Sequence, residues 1–522
     1  MEGAEVELQA SPPDSNGTAN IAALPAGPIP LPVPGGGGER HIAHVTAAPA
    51  RDAPDEVNLT STDAAYAEYR EMTDMREPYR IPAEYLCGTK QYVGPGVADT
   101  PLIVFINAKS GGHVGPRLLT VLFRSLGQAQ VFDLAESRPG PVLRAIWDNL
   151  LAREDQGDVL AGHIRRNLRI LAAGGDGTVT WILKTVRELG LEPAPAVAIM
   201  PLGTGNDLSL SFGWGSLFLD RWIAAPQLYT TLKRFADARL CHLDCWSVTI
   251  TAPDSSFFPE LPYALVAEPN DPRQVGGLFW NYLSVGLDAE AAYGFHTMRE
   301  THSWAASSRV LNQAWYSWYS CTSGWFCGAQ PLTNKLRLRV RDEQDGPWRE
   351  VTVPRNVRAL VLLNIQSYGG GRDIVGLGDS TLLKGQEFKR APIFDDGLIE
   401  VVGFGSGWHA AVTMAQVSSK VHAVRLAQCC EVELHLEARG GKESGPSTAA
   451  AGTAEAAPSP HQQQEGQQQM VVRVAHAGRS HMLFNEKDPQ GGRRVRQIAS
   501  RGAQLSEELP SHFSMLWPAH SK

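Results

Sequence analysis

The first half of the chain alternates short apolar runs with segments of helical periodicity. The apolar runs predict strands at 102–107, 129–134, 170–173 and 196–203. Helices are predicted at 117–126, at 142–151 and from 178 onward, where apolar residues recur every three or four positions. Continuous apolar runs are typical of strands buried on both faces of a parallel sheet. The alternation predicts a doubly wound α/β domain, which binds its ligands at the carboxyl ends of the strands.

The pattern changes after Asp244, where short strand-like runs dominate. Residues 335–353 (KLRLRVRDEQDGPWREVTV) predict a hairpin with DEQDG at its tip. Two helices are predicted among these strands, at 288–299 and 307–319. The second half is therefore predicted to be a mainly antiparallel, β-rich accessory domain.

Composition sets the expected domain boundaries. Residues 1–78 are mostly rich in Pro, Gly and Ala, which predicts a disordered N-terminal region and linker. The catalytic α/β domain is expected at 79–244 and the accessory domain at 245–490. Residues 440–469 are low in complexity and predict a disordered surface insertion, and the basic tail 491–522 is predicted to be mobile.

Charge and cysteine content narrow the function classes. A net charge of −8 and a pI near 6.0 argue against a nucleic-acid binder, which normally has a basic excess. The seven cysteines are odd in number and lack the spacing of a zinc site. No apolar stretch reaches the ~18–20 residues that span a bilayer, and the acidic N-terminus lacks a secretory signal. We expect a cytoplasmic protein that contacts membranes peripherally; the sequence leaves its oligomeric state open.

The segment GGDGT (Gly174–Thr178) places a carboxylate where a phosphate would bind. Gly174 and Gly175 allow a sharp turn after a strand, and a helix is predicted from Thr178 onward. The free N–H groups of such a turn, Gly177 included, suit phosphate oxygens. The negative charge of Asp176 would be unfavourable beside an anionic ligand unless a metal or a proton transfer uses it. This argument favours a catalytic role for Asp176. The alternative is an aspartate that only caps a helix.

A second glycine-rich loop, NAKSGG, follows the first predicted strand. Asn107 ends that strand, and Ser110, Gly111 and Gly112 offer backbone N–H groups to the phosphates of ATP. Lys109 is a candidate to neutralise phosphate charge, although a loop lysine is as often simply solvated.

A third loop, PLGTGND, follows the fourth predicted strand. Gly203 and Gly205 bracket Thr204, so that the backbone can approach a nucleotide closely. Asn206 and Asp207 are candidates to hydrogen-bond that nucleotide. The alternative is a turn with a structural role only.

These three motifs and DDGLIEVVGF (395–404) resemble, in type, order and spacing, the diacylglycerol kinases, in particular the short plant-type members without cysteine-rich zinc modules. The resemblance covers about 101–404, and more loosely extends to 486. NAD kinases and phosphofructokinases share only the GGDGT-like turn. Sphingosine and ceramide kinases share the whole architecture and stay the alternative, although the extended match in the second half favours diacylglycerol.

The resemblance implies ATP-dependent phosphorylation of the primary hydroxyl of diacylglycerol to phosphatidate, with Mg²⁺ between phosphate and carboxylate oxygens. Asp176 would orient that hydroxyl; a low pKa, expected near a helix N-terminus, favours orientation over proton abstraction. Asp396 is the candidate second catalytic carboxylate and Asp395 the candidate metal ligand. Glu400 could serve instead, or face solvent. Phe394 and Trp408 are candidates to line a lipid entrance.

One segment departs from the family pattern. Residues 481–492 (HMLFNEKDPQGG) stand where the family has a short DGE-like turn followed by an aromatic residue, with Asn485 and Glu486 in the corresponding place. This departure predicts that lipid preference or activity could differ. It also leaves open a catalytically weak, lipid-binding scaffold.

Overall fold

The computed structural model describes residues 79–87, 100–110, 114–258, 265–301, 332, 335–376, 392–416, 421–437 and 469–485. Gly111, Gly112, Glu486 and the predicted helix 307–319 lie outside the described residues, as do the predicted N-terminal region, the C-terminal tail and the insertion except Gln469. None of the helices in the described ranges has the length and apolar character that crossing a membrane requires.

The first half of the described chain alternates strands and helices as predicted. Its elements are α1 (Ala83–Cys87), β1 (Leu102–Ile106), α2 (Val114–Leu126), β2 (Val131–Asp133), α3 (Pro139–Asp155), α4 (Val159–Asn167), β3 (Arg169–Gly174), α5 (Asp176–Leu189), β4 (Ala196–Pro201), α6 (Asp207–Ser211) and α7 (Ala225–Asp237). The sequence pattern missed α4, whose nine residues follow α3 closely; Asp158 caps it by accepting from the N–H groups of Leu160 and Ala161.

The strands β2-β1-β3-β4 form a parallel sheet in that order. One core packs α3, α4 and α5 on one face, and a second core packs α2 and α7 on the other. All five residues of β1 are buried, which explains its uninterrupted apolar run. The predicted doubly wound fold is therefore confirmed. The chain leaves β1 and β3 in opposite directions along the sheet, and ligands of such folds bind at the crevice between the carboxyl ends of those two strands.

The second half is mainly antiparallel, as predicted. Its elements are β5 (Arg239–Thr251), β6 (Val266–Glu268), β7 (Asp271–Phe279), β8 (Tyr282–Gly286), α8 (Leu287–Thr301), β9 (Leu336–Arg341), β10 (Trp348–Val351), β11 (Ala359–Leu363), β12 (Ile399–Phe404), α9 (Gly407–Ala415), β13 (Val424–Cys429), β14 (Glu431–Glu437) and β15 (Gln469–Phe484). The hairpin predicted at 335–353 is present as β9 and β10. A four-stranded sheet β13-β12-β11-β8 packs on the antiparallel part of the larger sheet, with Trp246 and Val340 in the shared core.

One long strand, β15, joins the two halves into a single eleven-stranded sheet. It pairs antiparallel with β5 along most of its length, and at Met482 it pairs parallel with Val197 of β4. The predicted boundary at 244/245 falls inside β5. The last strand of the described chain thus extends the parallel sheet formed by the first half.

Candidate active site

The loop after β1 lies at the crevice between β1 and β3. The N–H of Asn107 donates to the carbonyl of Ala173 at the end of β3, at 2.9 Å. Its side-chain oxygen accepts from the N–H of Lys109 at 3.2 Å, and the Lys109 side chain is exposed. At Gly115, in the first turn of α2, a Cβ would lie 2.7 Å from the carbonyl oxygen of Ser110. The loop and the helix therefore fit together only because this position has no side chain.

The two glycine turns after β3 and β4 touch each other. A Cβ on Gly203 would lie under 3.0 Å from the Cα of Gly175 and 2.8 Å from the side-chain oxygen of Asn206. At Gly174 a Cβ would come within 2.8 Å of the Thr178 methyl carbon. Two of the predicted phosphate-binding motifs are thus packed backbone to backbone, in a way that only glycine permits.

Asp176 is the first residue of α5, yet its carboxylate caps a different helix. Oδ2 accepts from the N–H of Asp207 and Oδ1 from the N–H of Leu208, each at 3.0 Å, at the start of α6. Gly205 lies beside it, because a Cβ there would be 3.4 Å from Oδ2. Asp176 is therefore a cap, although not of the helix that it begins, and its catalytic role stays a prediction.

The prediction of a low pKa for Asp176 is wrong. Burial and then the negative charge of Asp207 raise its pKa to about 6, and the backbone N–H groups of residues 206–208 only partly oppose them. The helix N-terminus that the sequence suggested favours the charged form by less than burial disfavours it. A carboxylate with this pKa is ionised at neutral pH but holds a proton far better than an ordinary aspartate. This property favours a role as general base.

Asn206 uses its side chain to shape its own loop. Its amide exchanges two hydrogen bonds with the backbone of Gly203, at 3.0 and 2.8 Å, and donates to the carbonyl of Ser216 at 2.8 Å. The residue is 1 % exposed and adopts φ 56°, in the left-handed region that asparagine tolerates best among residues with a side chain. Thr204, by contrast, is exposed at the tip of the turn.

Asp207 is 1 % exposed and accepts hydrogen bonds from the second half of the chain. Oδ1 accepts from the hydroxyl of Ser367 at 2.5 Å and from the N–H groups of Gly370 and Gly371 at 2.8 and 3.0 Å. Oδ2 faces the hydroxyl of Tyr282 at 3.4 Å. The sequence did not predict these partners of Asp207. The one sequence signal was the run of three glycines (GGG, 369–371) after the buried strand β11.

Asp395 and Asp396 belong to a different set of contacts, arranged around Asp244. Asp244 is fully buried; Oδ1 accepts from His476 Nε2 and Arg479 Nε, each at 3.0 Å, and Oδ2 accepts from the N–H of Gly397 at 2.6 Å. Burial and the charge of Asp244 raise the pKa of Asp395. These contacts fix the turn that carries the DDG motif against β15.

Glu400 does not face solvent. It is 1 % exposed in β12 and accepts a hydrogen bond from the side-chain amide of Gln428 at 2.9 Å. Burial and then the charge of Asp396 raise the pKa of Glu400 well above its usual value.

The described residues form no protein cage for a metal: within those ranges, no three His, Cys, Asp or Glu side chains are grouped to hold an ion. Oδ1 of Asp396 accepts from the N–H of Leu398 at 3.0 Å. The positive charge of the Arg479 guanidinium lowers the pKa of Asp395 and so favours its charged form. A metal cation bound at Asp395 would be repelled by this guanidinium. The residues near Asp395 therefore do not fit a resident Mg²⁺ site.

Three further predicted residues differ in how far they are buried. Phe394 is 8 % exposed and packs on Phe212, with ring centroids 4.9 Å apart. Trp408 is 70 % exposed in the first turn of α9. Asn485 is buried and donates to the carbonyl of Gly213 at 2.8 Å, which ties the end of β15 to the segment after α6.

Comparison with known proteins places these features in a family. The family model of the diacylglycerol kinase catalytic domain matches residues 101–237, and that of the diacylglycerol kinase accessory domain matches residues 278–443. Diacylglycerol kinase 4 of Arabidopsis thaliana is 39 % identical over 368 residues, which are 66 % of this chain and 74 % of that protein. The chain belongs to the diacylglycerol kinase family. The resemblance inferred from the four motifs is thereby confirmed.

A second relative matches to a similar extent, and one solved structure matches at much lower identity. Diacylglycerol kinase 3 of Arabidopsis thaliana is 39 % identical over 377 residues, 67 % of this chain and 75 % of that protein. A crystal structure of a diacylglycerol kinase from Bacillus anthracis covers 76 % of this chain and 99 % of its own, with 13 % identity and a TM-score of 0.38. The matched catalytic domain contains all three glycine turns, and the matched accessory domain contains the loop that contacts Asp207.

Proposed function

We propose that this protein transfers the γ-phosphoryl group of ATP to the primary hydroxyl of diacylglycerol, giving phosphatidate and ADP. One observation carries the proposal. In a chain of this family, a half-buried carboxylate, Asp176, lies among glycine turns at the carboxyl edge of a doubly wound sheet, where phosphoryl donors bind. Positioning and charge neutralisation provide most of the catalysis in phosphoryl transfer, and this site supplies fixed backbone dipoles.

The backbone of the three glycine turns is proposed to bind ATP. Their proposed contribution is the close approach that glycine allows between backbone and nucleotide, because the side chains of Asn107 and Asn206 hold the loops themselves. Lys109 is exposed and long enough to reach a phosphate. The proposed binding residues are Asn107, Lys109, Ser110, Gly111, Gly112, Gly174, Gly175, Gly177, Thr178, Gly203, Thr204, Gly205 and Asn206.

Asp176 is proposed to orient the lipid hydroxyl and to accept its proton. The capping hydrogen bonds from α6 fix the carboxylate, and a pKa of about 6 makes it a competent base at neutral pH. A role for Asp396 as a second catalytic carboxylate stays a prediction. Mg²⁺ is proposed to arrive with ATP, whose phosphate oxygens provide most of its ligands, and to neutralise phosphate charge when bound.

The decisive experiment offers radiolabelled ATP and Mg²⁺ to mixed micelles that contain diacylglycerol, sphingosine or ceramide. Labelled phosphatidate is the expected product, and the Asp176→Ala variant should form it slower by orders of magnitude while unfolding at a similar denaturant concentration. Label in the sphingosine or ceramide arm alone would replace the substrate class. No labelled lipid in any arm would leave the scaffold interpretation.

Peripheral membrane association is part of the proposal, because the substrate resides in a bilayer. Sedimentation with vesicles tests it. Binding to vesicles with anionic lipid should exceed binding to neutral vesicles and should fall as salt rises. Activity on micelles without any sedimentation would contradict this part and leave the catalytic proposal intact.

A further inference from the structure

We infer that Asp207 is a positioning residue, which fastens a glycine loop of the second half to the catalytic turn and thereby holds Asp176 in place. The inference rests on the proposed function for its catalytic consequence, but the fastening itself can be measured without activity. It also replaces the prediction that Asp207 binds the nucleotide, because the contacts of its carboxylate are internal.

The carboxylate of Asp207 obtains its hydrogen-bond donors from the second half of the chain. It is 1 % exposed, and within the described residues the four groups that donate to its carboxylate lie beyond residue 280: Tyr282, Ser367, Gly370 and Gly371. A buried carboxylate without such partners would be strongly unfavourable. The hydrogen bonds of this carboxylate therefore depend on the accessory half of the chain.

The glycine loop at 369–371 has a backbone shape that can receive an anion. Gly369, Gly370 and Gly371 have φ values of 55°, 94° and 102°, three successive residues in the left-handed region. Other side chains are strained there, and such turns can point successive N–H groups at one anion. In this protein the anion is the carboxylate of Asp207, so the loop and the aspartate form one unit, which we call the Asp207 latch.

The latch contacts Asp176 through the backbone at the start of α6. The N–H of Asp207 donates to Asp176 Oδ2, and the neighbouring N–H of Leu208 donates to Oδ1, each at 3.0 Å. The side chain of Asp207 thus accepts hydrogen bonds from the accessory half, and its main-chain N–H donates to the proposed catalytic carboxylate. A displacement of the loop must move the start of α6, and with it the two donors that orient Asp176.

The far side of the loop is itself anchored. The hydroxyl of Tyr368 donates to Asp288 Oδ2 in α8 at 2.6 Å, and Nε of Arg372 donates to the carbonyl of Met414 in α9 at 2.6 Å. These contacts tie the loop to two helices of the accessory half. The latch is therefore a link between that half and Asp176.

The first test measures the latch directly, by hydrogen–deuterium exchange of the full chain followed by peptide analysis. Ser367→Ala deletes one hydrogen bond to a charged group, a loss that changes a local equilibrium by about 10- to 100-fold. We expect faster exchange in the peptide with 367–371 and also in the peptide with 207–208. Faster exchange confined to 367–371 would overturn the coupling to Asp176. The control is Ser209→Ala, which deletes a buried hydroxyl of α6 that is not part of the latch and that donates to the Gly215 carbonyl at 2.8 Å.

The second test separates positioning from nucleotide binding in Asp207→Asn and Ser367→Ala. Misplacement of about 1 Å costs roughly 100-fold in rate, so kcat should fall about 10- to 100-fold while the Kd for ATP stays within about twofold. A Kd for ATP at least about tenfold weaker, with kcat unchanged, would make Asp207 a nucleotide ligand and overturn the inference. Wild-type protein that is inactive on every lipid would refute the proposed function instead, and the exchange experiment would still decide the latch.

Discussion

Replacing Gly203 with alanine tests whether the contact between the two glycine turns sets the geometry of the site. The new Cβ would lie under 3.0 Å from Gly175 Cα and 2.8 Å from the side-chain oxygen of Asn206. Carbon atoms in ordinary contact are ~3.5–4.0 Å apart, so the turns would have to separate by about 1 to 1.6 Å. Both obstacles are fixed: one is backbone, and the other is a side chain hydrogen-bonded to Gly203 itself.

The expected loss has two parts. Overpacking of this kind costs ~1–3 kcal/mol of unfolding free energy. A displacement of about 1 Å or more beside Asp176 lowers kcat by roughly 100-fold. Urea unfolding measures the first part, and steady-state kinetics on diacylglycerol micelles at saturating ATP measure the second.

Gly140→Ala is the matched control for this substitution. Its Cβ in α3 would meet only the Thr185 methyl carbon, at an ordinary 3.8 Å. Unfolding free energy should stay level or rise by up to ~1 kcal/mol, with kcat unchanged. If Gly203→Ala matched the wild type in both measurements, the turns would not be a close-fitted pair, and the account of the site from glycine contacts would be wrong.

Three further predictions concern single side chains. Because burial and Asp207 raise the pKa of Asp176 to about 6 and catalysis needs the carboxylate, kcat/KM should fall as pH drops through that value; a profile flat down to pH ~5 would contradict the assignment. The pKa of Glu400 is raised on folding, so its stabilising contribution is fully present below the unfolded value of ~4.3 and declines as pH rises toward the folded pKa. Glu400→Gln, which can keep the Gln428 hydrogen bond, should therefore flatten that decline in urea unfolding from pH ~5 to ~8; an unchanged pH dependence would place the linkage elsewhere. Asn485→Ala should cost ~1–3 kcal/mol of unfolding free energy, because the Gly213 carbonyl loses its donor, without changing the ratio of kcat/KM between two diacylglycerols; a changed ratio would restore a role in lipid preference.

Local patterns were enough to predict the four parallel strands and the helices α2, α3 and α5 of the first half. The uninterrupted apolar runs of β1, β3 and β4 require burial on both faces, and that burial requires helices above and below the sheet. The glycine motifs follow the strands directly, so their position at the carboxyl edge follows from the parallel topology. The same reasoning could not assign β15, because its pattern fits equally an antiparallel sheet or an extension of the parallel one.

Side-chain chemistry at the site was predicted less well, and Asp176 shows why. Its position at a helix N-terminus is visible in the sequence and suggests a low pKa. The opposing effects are burial and the charge of Asp207, and both exist only after β3 and β4 have brought two turns together. Glu400 is a similar case, since alternation along β12 left it free to face solvent until a second layer covered that face.

The sequence by itself therefore determined the family, the doubly wound sheet, and the edge of that sheet at which the three glycine turns gather. Only the tertiary structure decided how the carboxylates divide their roles. Asp207 meets Ser367 across 160 positions of the chain, and Asp244 meets Arg479 across 235. No local periodicity encodes such pairings. They form because a buried charge must find hydrogen-bond donors, and the fold alone determines which donors are within reach.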